Sequence, residues 1–172
     1  MHGMLPALKR GFKRWIGWRR VGIAASVMII AFAVTTLLRT LKGIDTGVIL
    51  TALTEARADG KLVLLDFGAN WCLDCIVLSH LFEDKTVHPF LDDNFHVVSI
   101  DVGNWDRNLD VSKQYGSPID NGIPAVVILT GSGDVLASTK SGALADARTA
   151  TAREVLDYLK GWVAQKPTHA AR

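Results

Sequence analysis

Two cysteines separated by two residues, set where a strand-like run gives way to a helical one, constrain this chain more than any other feature. They lie in "DFGANWCLDCI" (66–76), and the 172 residues contain no other cysteine. Cys72 and Cys75 therefore react with each other or with a partner. Three roles are open to them: a structural disulfide, half of a metal site, or a thiol–disulfide exchange centre. The preceding "KLVLLDF" (61–67) is a short, nearly continuous apolar run, the pattern of a strand buried on both faces. A helix carrying Ile76, Leu78, Leu81 and Phe82 is expected to start at the cysteines. Cys72 would then sit at the carboxyl end of a strand, near free backbone N–H groups and the positive end of the helix dipole, surroundings that stabilise a thiolate. A bridge closing so small a ring removes little chain entropy, so a purely structural disulfide gains modestly here. A reversible one suits the spacing better.

The flanking sequence alternates helical and strand signals. Asp45 can cap a helix through "TGVILTALTEARADG", with Val48, Ile49, Ala52, Leu53 and Ala56 on its apolar side and Gly60 as its stop. "FHVVSIDV" (95–102) and "PAVVILT" (124–130) read as further strands, and "GSGD" (131–134) turns the second of these into "VLASTK" (135–140), a hairpin. Thr149 or Thr151 can open a last amphipathic helix carrying Val155, Leu156, Leu159, Trp162 and Val163. The order helix, strand, helix, strand, helical loop, hairpin, helix predicts an α/β domain, a mixed sheet flanked by helices, over residues 46–165, with 166–172 as a flexible tail.

Ahead of this domain, "VGIAASVMIIAFAVTTLL" (21–38) carries no charge over 18 residues. As a helix it is about 27 Å long, enough to cross a bilayer core. A cleaved signal peptide would need small residues just beyond the run, whereas Arg39, Thr40, Leu41 and Lys42 follow. The expectation is one N-terminal transmembrane helix, with 1–20 a basic cytoplasmic tail and 39–45 a linker. Lys9, Arg10, Lys13, Arg14, Arg19 and Arg20 precede the span and only Arg39 and Lys42 closely follow it, which keeps the N-terminus in the cytoplasm. In a bacterium this makes a single-pass protein of the inner membrane with its domain in the periplasm, where a cysteine pair is oxidised unless something reduces it. A nucleic-acid role for the basic cluster is set aside. Its charges and Trp15 and Trp18 already have an interfacial role, and the formal net charge is only +2.

Residues from about 45 to 165 resemble the thioredoxin superfamily. The resemblance is carried by "WCLDC" (71–75), by Asp66 six residues ahead of the first cysteine, and by "GIPAVVIL" (122–129). The chain is similar to exported or membrane-anchored members, including the C-terminal domain of the transmembrane thiol:disulfide interchange protein. The resemblance implies a thiol–disulfide oxidoreductase with no metal and no cofactor beyond a redox-active Cys72–Cys75 disulfide. It implies that Asp66 is buried and exchanges a proton with Cys75, and that Pro124 is cis and lies against the disulfide. Trp71, Ile123 and Pro124 would then contact the substrate. Leu73 and Asp74 stand where thioredoxins have Gly-Pro, Ile76 replaces a common lysine, and "GNWDRNLDVSKQYGSPIDN" (103–121) is enlarged. These departures bear on redox tuning and on the choice of partner.

The mechanism expected is a two-step exchange: Cys72 attacks a partner disulfide and Cys75 resolves the mixed disulfide. The partners are protein disulfides or thiols and an upstream thiol reductant in the membrane or periplasm. Asp74 next to a forming thiolate disfavours the reduced state, so the expected direction is reduction of exported proteins. The alternatives are an oxidase or isomerase, or a non-catalytic metal-binding or chaperone module. Asp66 could instead be a solvent-facing strand-end residue, Trp71 core filler and Pro124 a trans proline. His80 and His88 could join the cysteines around a metal, but no second ligand pair follows. "NWDRNLD" (104–110) spaces oxygen donors like a calcium loop, but Leu109 and Tyr115 occupy the positions that need glycine and carboxylate, so turn and capping roles are expected.

Overall fold

The computed structural model describes residues 28–30, 32 and 46–166. Of the expected span 21–38 only those first four residues are included; they are helical and exposed. The basic segment 1–20, the linker 39–45 with Asp45, and residues 167–172 lie outside the described residues. Among the described residues no helix is long and apolar enough to cross a membrane.

The domain is built on a four-stranded sheet of order β2-β1-β3-β4. Strand β1 (Leu62–Gly68) is central, parallel to β2 (Phe95–Asp101) and antiparallel to β3 (Ala125–Leu129), which pairs antiparallel with β4 (Val135–Ser138). The register sets Asp66 opposite Ser99 on one side and Val126 on the other. Strand alternation divides the β1 side chains between two layers. Val63, Leu65 and Phe67 join Val127, Leu129 and Ile49, Ala52 and Ala56 of helix α1 (residues 46–59). Leu62 and Leu64 join Val126 and Ile128 under α2 (Leu73–Phe82), α3 (His88–Asn94) and α5 (Ala152–Ala164). The short helix α4 (Leu109–Gln114) closes the α1 side with Val111. Both β1 and β3 are thus covered on both faces, as the apolar run of β3 and the nearly continuous one of β1 lead one to expect.

The helices refine the sequence reading. Gly60 stops α1 with a left-handed φ of 77°, and its N–H bonds the Ala56 carbonyl at 2.9 Å. Val48, expected on the apolar face, is 48% exposed, because the buried stripe runs through Ile49, Ala52 and Ala56. Ile76 is likewise exposed, and α2 docks through Leu78 and Phe82. The segment after α2 holds an unforeseen helix, α3, with Pro89 in its first turn, where a missing N–H costs nothing. Thr151 opens α5 through a reciprocal capping box with Glu154. Val155 and Leu159 are buried, while Leu156, Trp162 and Val163 pack half-buried beside them. The last turn continues to Lys166, whose ammonium group hydrogen-bonds the Gly60 carbonyl.

Candidate functional site

Strand β1 ends at Gly68, and a turn through Ala69, Asn70 and Trp71 delivers Cys72 as the N-cap of α2. Its backbone is extended, with φ −85° and ψ 109°, and its sulfur accepts the Cys75 N–H at 3.2 Å. The sulfur so takes the place that a serine or aspartate oxygen fills at an ordinary helix start, beside the free N–H groups of the first turn. Cys72 and Cys75 are joined as a disulfide. The Ile123 carbonyl oxygen lies 3.6 Å from the Cys72 sulfur, and the Ile123–Pro124 peptide just ahead of β3 is cis. Gly68 is small for a reason: a Cβ there would stand 3.2 Å from the Cys75 Cβ.

The two sulfurs are not separated by exposure, since Cys72 is 7% and Cys75 9% accessible. Their neighbours separate them. Around Cys72 stand the exposed side chains of Trp71 and Leu73, at 47% and 62%. Cys75 instead lines a cleft of about 390 Å³ with Asp66, Ile76, Ser79, His80 and Ser99. Asp66, on the same strand face as Leu62 and Leu64, is half-buried. Its Oδ1 is fully enclosed and has no hydrogen-bond partner among the described residues. Loss of water around the charged form raises its pKa to about 7. Asp66 thus keeps some contact with solvent at the strand end while its enclosed oxygen belongs to the cleft that Cys75 lines.

Asp74 differs from the sequence expectation of a lone charge between the cysteines. Its Oδ1 accepts both the backbone N–H of Arg148, at 3.0 Å, and the Arg148 Nε, at 2.9 Å. Arg148 sits in a 3-10 turn, Ala147–Thr149, and no local sequence signal links it to a residue 74 positions earlier. A second unforeseen residue is Trp105. The loop after β2 turns back so that Trp105, at a left-handed φ of 64°, sets its ring 6.0 Å from that of Trp71, while the Trp71 Nε1 donates to the Gly103 carbonyl at 2.8 Å. Oxygen-bearing side chains in this loop serve turns and pairs: Asp101 receives the Gly103 N–H and Arg107, and Asp106 receives the Asn104 N–H. His88 lies between Glu83 and Asp92, and His80 borders the cleft. Among the described residues no three His, Cys, Asp or Glu side chains are grouped to hold a metal ion.

The thioredoxin-like family matches residues 49–131 of the sequence. A solved structure described as a disulphide isomerase from Xylella fastidiosa Temecula1 is 42% identical, aligned over 66% of this chain and 86% of that one, with a TM-score of 0.64. The chain belongs to the thioredoxin superfamily. A solved DsbH oxidoreductase, 19% identical over 67% of this chain and 81% of its own, has a TM-score of 0.50 and shares the fold. No curated protein matches the sequence. This thioredoxin-like protein is a thiol–disulfide oxidoreductase, and its partners are molecules that carry thiols or disulfides. Trp71 and Leu73 flank Cys72 in the chain, the Ile123 carbonyl just ahead of Pro124 lies beside its sulfur, Asp66 and Cys75 share the cleft, and Asp74 turns to Arg148.

Proposed function

We propose that this protein reduces disulfides of exported polypeptides from a membrane-anchored position, with Cys72 as nucleophile, Cys75 as resolving thiol and Asp66 as proton acceptor. The observation that carries the reading is the Cys72–Cys75 bridge at the helix start, between exposed apolar neighbours and a cleft in which Asp66 Oδ1 has no hydrogen-bond partner among the described residues. In the reduced protein the Cys72 thiolate attacks a substrate disulfide. One substrate sulfur leaves as a thiolate and takes a proton from water. Asp66, with a pKa of about 7, accepts the Cys75 proton through the cleft. The Cys75 thiolate then attacks Cys72 in the mixed disulfide, releasing the second substrate sulfur and forming the Cys72–Cys75 bridge. Two electrons pass to the substrate, and an upstream thiol reductant in the membrane or periplasm restores the pair. The exchange itself needs no metal or organic cofactor. Trp71, Ile123 and Pro124 contact the substrate: proline offers no N–H, and the backbone of Ile123 can pair with an extended segment.

The apolar run 21–38 and the excess of basic residues before it support the anchor and the export of the domain. The absence of any basic residue between the cysteines supports reduction over oxidation, because strong oxidants of this chemistry owe their potential to a stabilised reduced form. Isomerase action is a second reading, favoured by the name of the Xylella relative and by the exposed Trp71 and Leu73. In cells, Cys75→Ser should accumulate mixed disulfides on Cys72 with exported proteins, and equilibration with glutathione should give a potential below roughly −200 mV. A value above about −150 mV removes the reductase reading in favour of an oxidase. Trapped partners whose native disulfides are mispaired rather than oxidised would favour the isomerase.

A further inference from the structure

Asp74 lies between the reactive sulfurs in sequence and in the first turn of α2, and its side chain is only 14% exposed. A carboxylate so enclosed near a forming thiolate opposes reduction of the pair. It is not alone, however, because a single residue from the far end of the chain supplies two donors to one of its oxygens. The backbone N–H of Arg148 reaches Oδ1 at 3.0 Å and the guanidinium Nε reaches it at 2.9 Å. The 3-10 turn that carries Arg148 is anchored by Ala147, which is fully buried in the layer that also holds Leu78 of α2. The turn is therefore fastened to the cysteine-bearing helix by packing, independently of the ion pair.

We propose that Arg148 is a positioning residue that sets the reduction potential of the Cys72–Cys75 couple by neutralising and orienting Asp74. The inference rests on the exchange reading above. Reduction of the bridge takes up two electrons and, near neutral pH, one proton, which resides on Cys75 while Cys72 becomes a thiolate. The negative charge is created on one side of the equation only, so nearby charges shift the equilibrium. With Arg148 and Asp74 paired, their net effect at Cys72 is small. Removing the guanidinium leaves the carboxylate to repel the thiolate, which favours the disulfide. Removing the carboxylate leaves the guanidinium to attract the thiolate, which favours the dithiol. The two substitutions act in opposite directions on one equilibrium constant, and together they cancel.

The test is equilibration of the purified full chain with glutathione redox buffers for the parent, Arg148→Met, Asp74→Asn and the double variant. Arg148→Met keeps the side-chain stem and the backbone N–H that bonds Asp74. We expect it to favour the disulfide by about tenfold in the equilibrium constant, a fall of about 30 mV. Asp74→Asn should favour the dithiol by a similar factor, and the double variant should return to within about twofold of the parent. The pH at which the Cys72 thiolate forms, followed by alkylation rate, should rise in Arg148→Met and fall in Asp74→Asn. Arg148→Lys retains the charge without the Nε geometry and should lie between parent and Arg148→Met. Shifts of the same sign in both single variants, or shifts within twofold in both, overturn the proposal, since lost packing alone has no reason to reverse sign. Failure of the parent to exchange with glutathione at all would instead overturn the exchange reading.

Discussion

Asp66 carries a folding penalty that pH controls. Its carboxyl titrates near 3.8 when unfolded and near 7 when folded. Between those values the folded chain holds a proton that the unfolded chain has lost, so this residue's contribution to stability falls as pH rises from about 4 to about 7 and is level beyond. Asp66→Asn removes the titration. Urea unfolding should find it more stable than the parent at pH 8 by roughly 2–4 kcal/mol, with the gap closing near pH 4. An equal difference at both pH values would mean that desolvation of the charge is not the cause. The same substitution should slow resolution of the mixed disulfide by about 100-fold at neutral pH. The cysteines differ by place rather than by exposure. Cys72 caps the helix, where the dipole favours its thiolate, so iodoacetamide should label Cys72 of the reduced protein faster than Cys75. Equal rates would remove the assignment of nucleophile.

At the scale of elements, the loop after β2 sets a second indole beside the tryptophan that precedes Cys72. It holds a tryptophan in left-handed backbone and leaves it 44% exposed beside Trp71, a conformation and an exposure that packing alone would not favour. Trp105→Ala should raise the KM for a disulfide-bonded polypeptide severalfold and leave reaction with a small disulfide unchanged; equal effects on both would assign the indole pair to stability. Helix α2 is held through Leu78, which has no exposed surface, and Leu78→Ala should cost about 2–5 kcal/mol in denaturant unfolding. The strands were legible because β3 is an unbroken apolar run and β1 is broken only by Asp66, the pattern of strands buried on both faces. Helix α3 was not, since "HPFLDDN" offers one turn of apolar spacing and a proline that reads as a break until its place in the first turn is known. The turn bearing Arg148 is three residues long and is held by tertiary contacts, so local pattern could not reveal it.

For the whole molecule, the readable part of the site was the part whose spacing is local: Cys72, Cys75 and Asp66 on one strand–turn–helix unit, and Ile123 with Pro124 at the head of a strand. Trp105 and Arg148 reach the site through the return of the chain across the sheet, which is a property of topology. The proposed orientation across the membrane is tested by fusing, after Arg172, a reporter that is active only in the cytoplasm. Silence is expected, and activity would reverse the topology.

The pairing of β1 with β2 also sets an order in time. Strands β3 and β4 meet across a turn at Thr130–Asp134 and can zip within microseconds. Leu62 must find Phe95 across all of α2 and α3, and β1 is enclosed only when β3 reaches its other side. The cysteines, three positions apart, need no such distant pairing to meet. A bridge so local can close even in an unstructured chain, so a new molecule can begin work in either redox state according to its surroundings.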